Sequence, residues 1–178
     1  MTTKIGFCGS HCTGKTTLAR RLHRDTIGSY FVSEIARRHI PGNLKNCETQ
    51  QKILTDQIRE EVYASLQADT IITDRTVIDN LAYLDNTCPF TARKKAFEIV
   101  QNWISTYTVI FFCPIEDIPL TDDGFRRTDA IERARIERAI MWHIRVLQQK
   151  HIGRFVCLSG SEDERYKTVI QTLYTGDW

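Results

Sequence analysis

The chain has 178 residues, 42% apolar and 26% charged, an ordinary balance for a single globular domain whose core needs no staples. Lys and Arg number 24 against 22 Asp and Glu, and the net charge of +2 is too slight to argue for a nucleic-acid or membrane surface. No apolar run approaches the roughly 18 residues of a spanning helix, and Met1-Thr2-Thr3-Lys4 leads straight into a strand pattern, so neither a membrane span nor a signal peptide is expected.

The first element is a short apolar strand over residues 5–8. Gly9-Ser10-His11-Cys12-Thr13-Gly14-Lys15-Thr16 follows at once and fits G-x-x-x-x-G-K-[ST], and Thr17 continues it into a helix carrying Leu18 and Leu22 at i,i+4. The glycines let the backbone wrap a phosphate chain, and the N–H groups then form an anion nest at a helix N-terminus. Lys15 is placed to meet the β- and γ-phosphates, and the Thr16 hydroxyl is placed to ligate Mg²⁺. Strand, loop and helix are the context that makes this pattern specific, and Gly9, His11, Cys12, Thr13, Gly14, Lys15, Thr16 and Thr17 form the expected nucleotide cradle.

The second strand, residues 30–32, ends in Ser33-Glu34-Ile35-Ala36-Arg37-Arg38. A carboxylate at that position is a candidate base for an acceptor hydroxyl, and Arg37 a candidate partner for an acceptor's anionic group. A loop with Pro41 and Gly42 comes next, then a helix over 48–67 with Leu54, Ile58, Val62 and Leu66 as its expected buried stripe. The third strand, 70–73, ends in Asp74-Arg75-Thr76 with Asp79 and Asn80 one turn on. An acidic residue ending an apolar strand suits the Mg²⁺ shell, so Thr16 and Asp74 are the expected metal residues. Glu34, Arg37, Arg75 and Asp79 are the expected acceptor-side residues.

Helices are predicted over 76–84 and 91–105, then a strand over 109–113. The stretch 114–128 breaks the pattern and carries Asp123-Gly124-Phe125-Arg126-Arg127, with Asp129 and Arg133 leading into a helix over 129–149. A glycine-bearing loop that carries arginines into a long helix has the form of a lid over a transferring phosphoryl group, and Arg126, Arg127 and Arg133 are its candidate catalytic cations beside Lys15, Glu34 and Asp74. Glu132, Arg135, Glu137 and Arg138 read as a solvated face. A last strand, 155–158, the turn Ser159-Gly160-Ser161 and a helix over 163–174 close the chain. Continuously apolar strands alternating with helices predict an α/β fold with a parallel sheet, one domain over residues 1–178 with a lid-like segment at about 115–135. With no C-x-x-C pair and a reducing cytosol expected, all six cysteines read as free thiols, and Cys8, Cys113 and Cys157 as small buried hydrophobes.

Taken together, Gly9 to Thr17, Ser33-Glu34-Ile35-Ala36-Arg37, Thr73-Asp74-Arg75-Thr76 with Asp79-Asn80, and Asp123-Gly124-Phe125-Arg126 with Asp129 and Arg133 resemble the phosphate-loop kinases grouped with the ribosylnicotinamide kinase domain of the bacterial NAD regulator, a subset of small AAA-like ATPase domains. The chain also resembles deoxynucleoside kinases, which have a Glu after the second strand and an acidic-Arg pair after the third. Cys12 stands where the family usually has Ser or Thr. The resemblance implies a three-layer phosphate-loop NTPase fold with strand order 2-3-1-4-5, ATP as donor, Mg²⁺, and a small phosphorylatable acceptor.

The expectation is a cytoplasmic, ATP- and Mg²⁺-dependent kinase that phosphorylates a nucleoside, nucleotide or related riboside, with Glu34 or Asp74 handling the acceptor hydroxyl. Two alternatives stay open: an NTP-binding regulatory ATPase or GTPase module, and a kinase acting on a nucleic-acid hydroxyl, against which the near-neutral charge weighs. Monomer and homodimer are both compatible with the sequence.

Overall fold

The computed structural model describes residues 2–39, 44, 46–115 and 130–176. Five strands run through it: β1 (Thr3–Cys8), β2 (Tyr30–Val32), β3 (Thr70–Asp74), β4 (Val109–Phe112) and β5 (Phe155–Cys157). Six α-helices alternate with them: α1 (Lys15–Asp25), α2 (Cys47–Ser65), α3 (Val77–Thr87), α4 (Phe90–Ile104), α5 (Ala130–Gln149) and α6 (Glu162–Thr175). A short 3-10 helix, Ile35–His39, follows β2. All pairings are parallel and the order is β2-β3-β1-β4-β5, as expected.

Register places the chemistry. Phe7 lies opposite Asp74 on one side and Phe111 on the other, so β3 ends beside the start of the phosphate loop. The Arg75 N–H donates to the Phe7 carbonyl at 3.1 Å and extends that pairing by one residue.

Side chains alternate between the two faces of the sheet. Ile5, Phe7, Val109 and Phe111 pack with Leu18, Ala19 and Leu22 of α1 and Tyr166 and Val169 of α6. Cys8, Ile110 and Phe112 pack on the other face with α3, α4 and α5. A smaller cluster, Val32, Ile35, Ile53, Ala64 and Ile71, lies under β2 and α2.

Four expectations are corrected. The apolar stripe assigned to α2 does not hold: Val62 is 46% and Leu66 76% exposed. The buried face is instead Gln50, Ile53, Leu54, Gln57, Glu61 and Ala64. Glu61, fully buried, accepts from Lys4 Nζ at 3.0 Å, Gln57 Nε2 at 2.8 Å, Trp103 Nε1 at 2.7 Å and the Tyr107 hydroxyl. Buried polar groups are tolerated when each has a partner, and here α2 packs on a salt-bridged network where leucines were expected.

Cys47 and Cys88 form a disulfide across 41 residues, joining the first turn of α2 to the end of α3, so they are not free thiols. Cys8, Cys12, Cys113 and Cys157 are free, but Cys157, on the edge strand β5, is exposed and not a core residue. Glu137 is buried on α5, where its carboxylate accepts from the Ile115 N–H at 2.8 Å, so it is not part of a solvated face.

Candidate functional site

The phosphate loop links β1 to α1. Gly9 has φ +148, and a Cβ there would meet the Cys113 carbonyl oxygen at 2.4 Å, so the loop can leave the strand only through glycine. Gly14, with φ 79, turns the chain into α1 in the left-handed region. Lys15 Nζ, 5% exposed as a residue, donates to the Ser10 carbonyl and to Thr13 Oγ1 at 3.2 Å. Burial first, and the charge of Arg75 second, pull the Lys15 ammonium below its usual range; an anion on the loop opposes both.

Asp74 ends β3 at 3% exposure. Its Oδ2 accepts from the Thr16 hydroxyl at 2.7 Å, while its buried Oδ1 has no hydrogen-bond partner among the described residues. Burial raises the Asp74 pKa, and the Thr16 hydrogen bond opposes the shift only partly. A hydroxyl and a carboxylate with a spare oxygen, beside a phosphate loop, form a donor set that fits Mg²⁺. Among the described residues no cluster of three or more His, Cys, Asp or Glu is arranged for a metal, so an ion here would depend on phosphates and water for most of its ligands.

Arg75 follows in the left-handed region at φ 88, uncommon for a side chain of this size and frequent at functional sites. Its guanidinium is buried. Nε donates to Glu34 Oε1 at 2.7 Å, Nη1 lies 3.6 Å from Asp79 Oδ1, and Tyr83 stacks at 5.5 Å. The other Glu34 oxygen accepts from Arg37 Nε at 2.9 Å. The predicted trio Glu34, Arg37 and Arg75 therefore comes together, with the carboxylate clamped between two guanidinium groups.

Asp79 is fully buried and serves as a joint. Its Oδ1 accepts from the Gly9 N–H at 3.0 Å, and its Oδ2 from the Thr76 N–H at 2.9 Å and hydroxyl at 3.1 Å. This is the capping box of α3, and it fastens that helix to the phosphate loop. Next in the chain, Asn80 faces a cavity of about 330 Å³. The cavity lies between His11 of the loop, Arg75, the α3 residues Asn80, Tyr83, Asn86 and Thr87, the α2 residues Gln50 and Ile53, and Glu132, Arg135 and Ile136 of α5. Glu132 and Arg135, read from sequence as solvated, line it. The Cys47–Cys88 bridge ties together the two helices that form its far walls.

Arg133 reaches back from the first turn of α5 to the phosphate loop, donating to the His11 carbonyl at 3.2 Å and the Cys12 carbonyl at 2.8 Å. Arg126 and Arg127, with most of the lid-like segment, lie outside the described residues. Sequence reasoning missed Arg165. It sits at 1% exposure on α6 and donates to the carbonyls of Gly160, Thr13 and Pro114. Its local sequence, Glu162-Asp163-Glu164-Arg165, carries no signal of this; it reads as a charged first turn after the Ser161 cap.

The model of the AAA domain family matches residues 4–165, nearly the whole chain, and the chain belongs to that family. Its fold is the phosphate-loop fold, like that of nucleoside and nucleotide kinases. It is similar to the NadR protein solved in complex with NR, at 19% identity and TM-score 0.75, over 98% of this chain and 50% of that one. It is similar to deoxyadenosine kinase from M. mycoides with bound dATP, at 13% identity and TM-score 0.66, over 97% and 99% of the two chains. Thymidylate kinase from Candida albicans is 12% identical at TM-score 0.71, over 98% and 92%. The chain spans about half the length of the NadR chains it matches, and likeness at these identities shows the fold alone. No curated protein matches the sequence.

Proposed function

We propose that the protein is an ATP- and Mg²⁺-dependent phosphotransferase that moves the terminal phosphoryl group of ATP to a hydroxyl or phosphate of a nucleoside, nucleotide or related riboside in the cytoplasm. The observation that carries this reading is the cavity bounded by His11 of the phosphate loop and by Arg75. A regulatory NTPase needs a site for the triphosphate and water; it has no use for a second, acceptor-sized chamber against the same loop. The solved neighbours whose names are kinases support the direction.

In this reading Gly9 to Thr17 hold the triphosphate, with Lys15 against the β- and γ-phosphates. Thr16 and Asp74 would hold Mg²⁺, which would supply positive charge against the phosphates. Arg75 and Arg37 hold the acceptor side, positioned by Glu34. Glu34 orients the acceptor hydroxyl and takes its proton as transfer completes; a loose transition state asks little of the base, so a carboxylate between two cations suffices. ATP and acceptor become ADP, the phosphorylated acceptor and one proton. Arg126 and Arg127 neutralise charge on the moving group, and the segment that carries them excludes water.

The test is ATP consumption with purified protein against nucleosides, nucleoside monophosphates, nicotinamide riboside and DNA ends. A small acceptor that raises turnover above the basal rate supports the reading; basal hydrolysis unchanged by every acceptor overturns it in favour of the regulatory module. Glu34→Gln is expected to keep ATP affinity and lose transfer by about 10²- to 10⁴-fold. Retained transfer would move the base to Asp74.

A further inference from the structure

The backbone carbonyls of the phosphate loop follow a pattern that its sequence motif does not contain. Four consecutive carbonyls, Ser10 to Thr13, each accept from a cationic side chain. Lys15 donates to Ser10, Arg133 to His11 at 3.2 Å and to Cys12 at 2.8 Å, and Arg165 to Thr13 at 3.4 Å. Lys15 belongs to the loop; the two arginines come from α5 and α6, more than 100 residues on.

A peptide unit is planar, so holding a carbonyl to one side turns the next residue's N–H to the other. Arg133 and Arg165, on the carbonyls of His11, Cys12 and Thr13, therefore turn the following N–H groups away from themselves and into the nest. The same charges add positive potential behind the site where a polyphosphate would lie. Arg165 is anchored for this. Its Nε donates to the Gly160 carbonyl at 2.9 Å, and its Nη1 also meets the Pro114 carbonyl at 3.5 Å. It thus ties the ends of β4 and β5 to the loop after β1. A guanidinium is suited to this because its planar fork offers several donors in fixed directions, which an ammonium does not.

We infer that Arg165, together with Arg133, is a positioning residue that pre-organises the phosphate loop for a nucleoside polyphosphate by fixing its carbonyls outward. This rests on the reading of Gly9 to Thr17 as a polyphosphate site and is independent of the acceptor's identity. Arg165 contacts backbone and acts through it.

The experiment is calorimetric titration of the purified full chain with ATP and with inorganic tripolyphosphate, which carries the anion without the base. Wild type, Arg165→Met, Arg165→Lys and Arg133→Met are compared, with a melting curve for each protein without ligand. Arg165→Met is expected to weaken both ligands about tenfold, the usual worth of one charge-assisted hydrogen bond. Arg165→Lys should recover only part, since one ammonium cannot serve three carbonyls. In ATP turnover KM should rise with kcat little changed, the mark of a binding loss common to ground and transition states. Wild-type affinity for both ligands in a folded Arg165→Met, whatever its melting temperature, overturns the inference and makes Arg165 a strut. If Arg165→Met does not fold, full recovery of affinity by Arg165→Lys together with unchanged affinity in Arg133→Met overturns it equally. Absence of binding by the wild type overturns the polyphosphate reading itself, and this inference with it.

Discussion

At the scale of single residues, Asp74 carries the oxygen proposed for Mg²⁺ at a cost in stability. Asp74 is almost fully buried, with one carboxylate oxygen on Thr16 and the other without a hydrogen bond among the described residues. Burial raises its pKa, so its ionised form is the costly one in the ligand-free fold. The sign follows: a carboxyl with a raised folded pKa favours the folded state below its unfolded value near 3.9 and loses that contribution as pH climbs through the folded value. Asp74→Asn keeps the Thr16 contact and removes the charge. Without nucleotide it is expected to melt above the wild type at pH 7, each 1 kcal/mol gained appearing as about 2–4 °C. The gap should close as pH falls toward 4. In turnover the same variant should lose most of its Mg²⁺-dependent activity. Equal melting curves at pH 7 would remove the buried-charge explanation.

At the scale of elements, helix α3 is where fold and site meet. Thr76 and Asp79 cap its start, Asp79 also takes the Gly9 N–H, and Asn80 and Tyr83 present the next turns to the cavity. Asp79→Ala removes a cap and leaves the buried Gly9 and Thr76 N–H groups without their acceptor. The expected cost is about 1–3 kcal/mol in urea unfolding, with weaker ATP binding because the loop loses its tether. A stability loss with unchanged ATP affinity would confine Asp79 to the helix. Sequence placed Asp79 on the acceptor side. In the fold the parallel register of β1 and β3 sets the start of α3 directly beside Gly9, and both Asp79 oxygens accept from backbone and cap there.

At the scale of the whole molecule, two long-range ties hold the helical layer. The first is the Glu61 network, which joins α2 to Lys4 on β1, to Trp103 on α4 and to Tyr107. Glu61→Ala leaves the Lys4 ammonium buried without its carboxylate and should cost about 3–5 kcal/mol. Lys4→Met in the same chain should restore part of that, since removing both charges ends the imbalance. Full additivity of the two losses would sink this account. The second tie is Cys47–Cys88. Dithiothreitol should lower the unfolding free energy by about 2–4 kcal/mol, the usual effect of a cross-link that constrains the unfolded chain. An unchanged midpoint would mean the bridge contributes nothing in solution.

Much of the architecture was legible because it is written in local periodicity. The apolar runs at β1, β3 and β4 and the loop from Gly9 to Thr17 are short-range patterns, and short-range sterics decide them. The strand ends at Glu34 and Asp74-Arg75 were legible too, because a parallel sheet brings its C-terminal edge to one place. The buried face of α2 was not, because Gln57 and Glu61 are buried for the sake of Lys4, Trp103 and Tyr107, partners that periodicity cannot display. The Cys47–Cys88 pairing was hidden for the same reason, since bridging depends on two helix ends meeting across 41 residues. Arg165 was hidden because its partners among the described residues are backbone carbonyls, which have no residue type and leave no signature in sequence. Local sterics thus dictated where the strands, helices and phosphate loop begin. Which charges go inside, and which cations brace that loop, was settled by packing between distant segments, because a buried charge is stable only against partners that folding alone brings near.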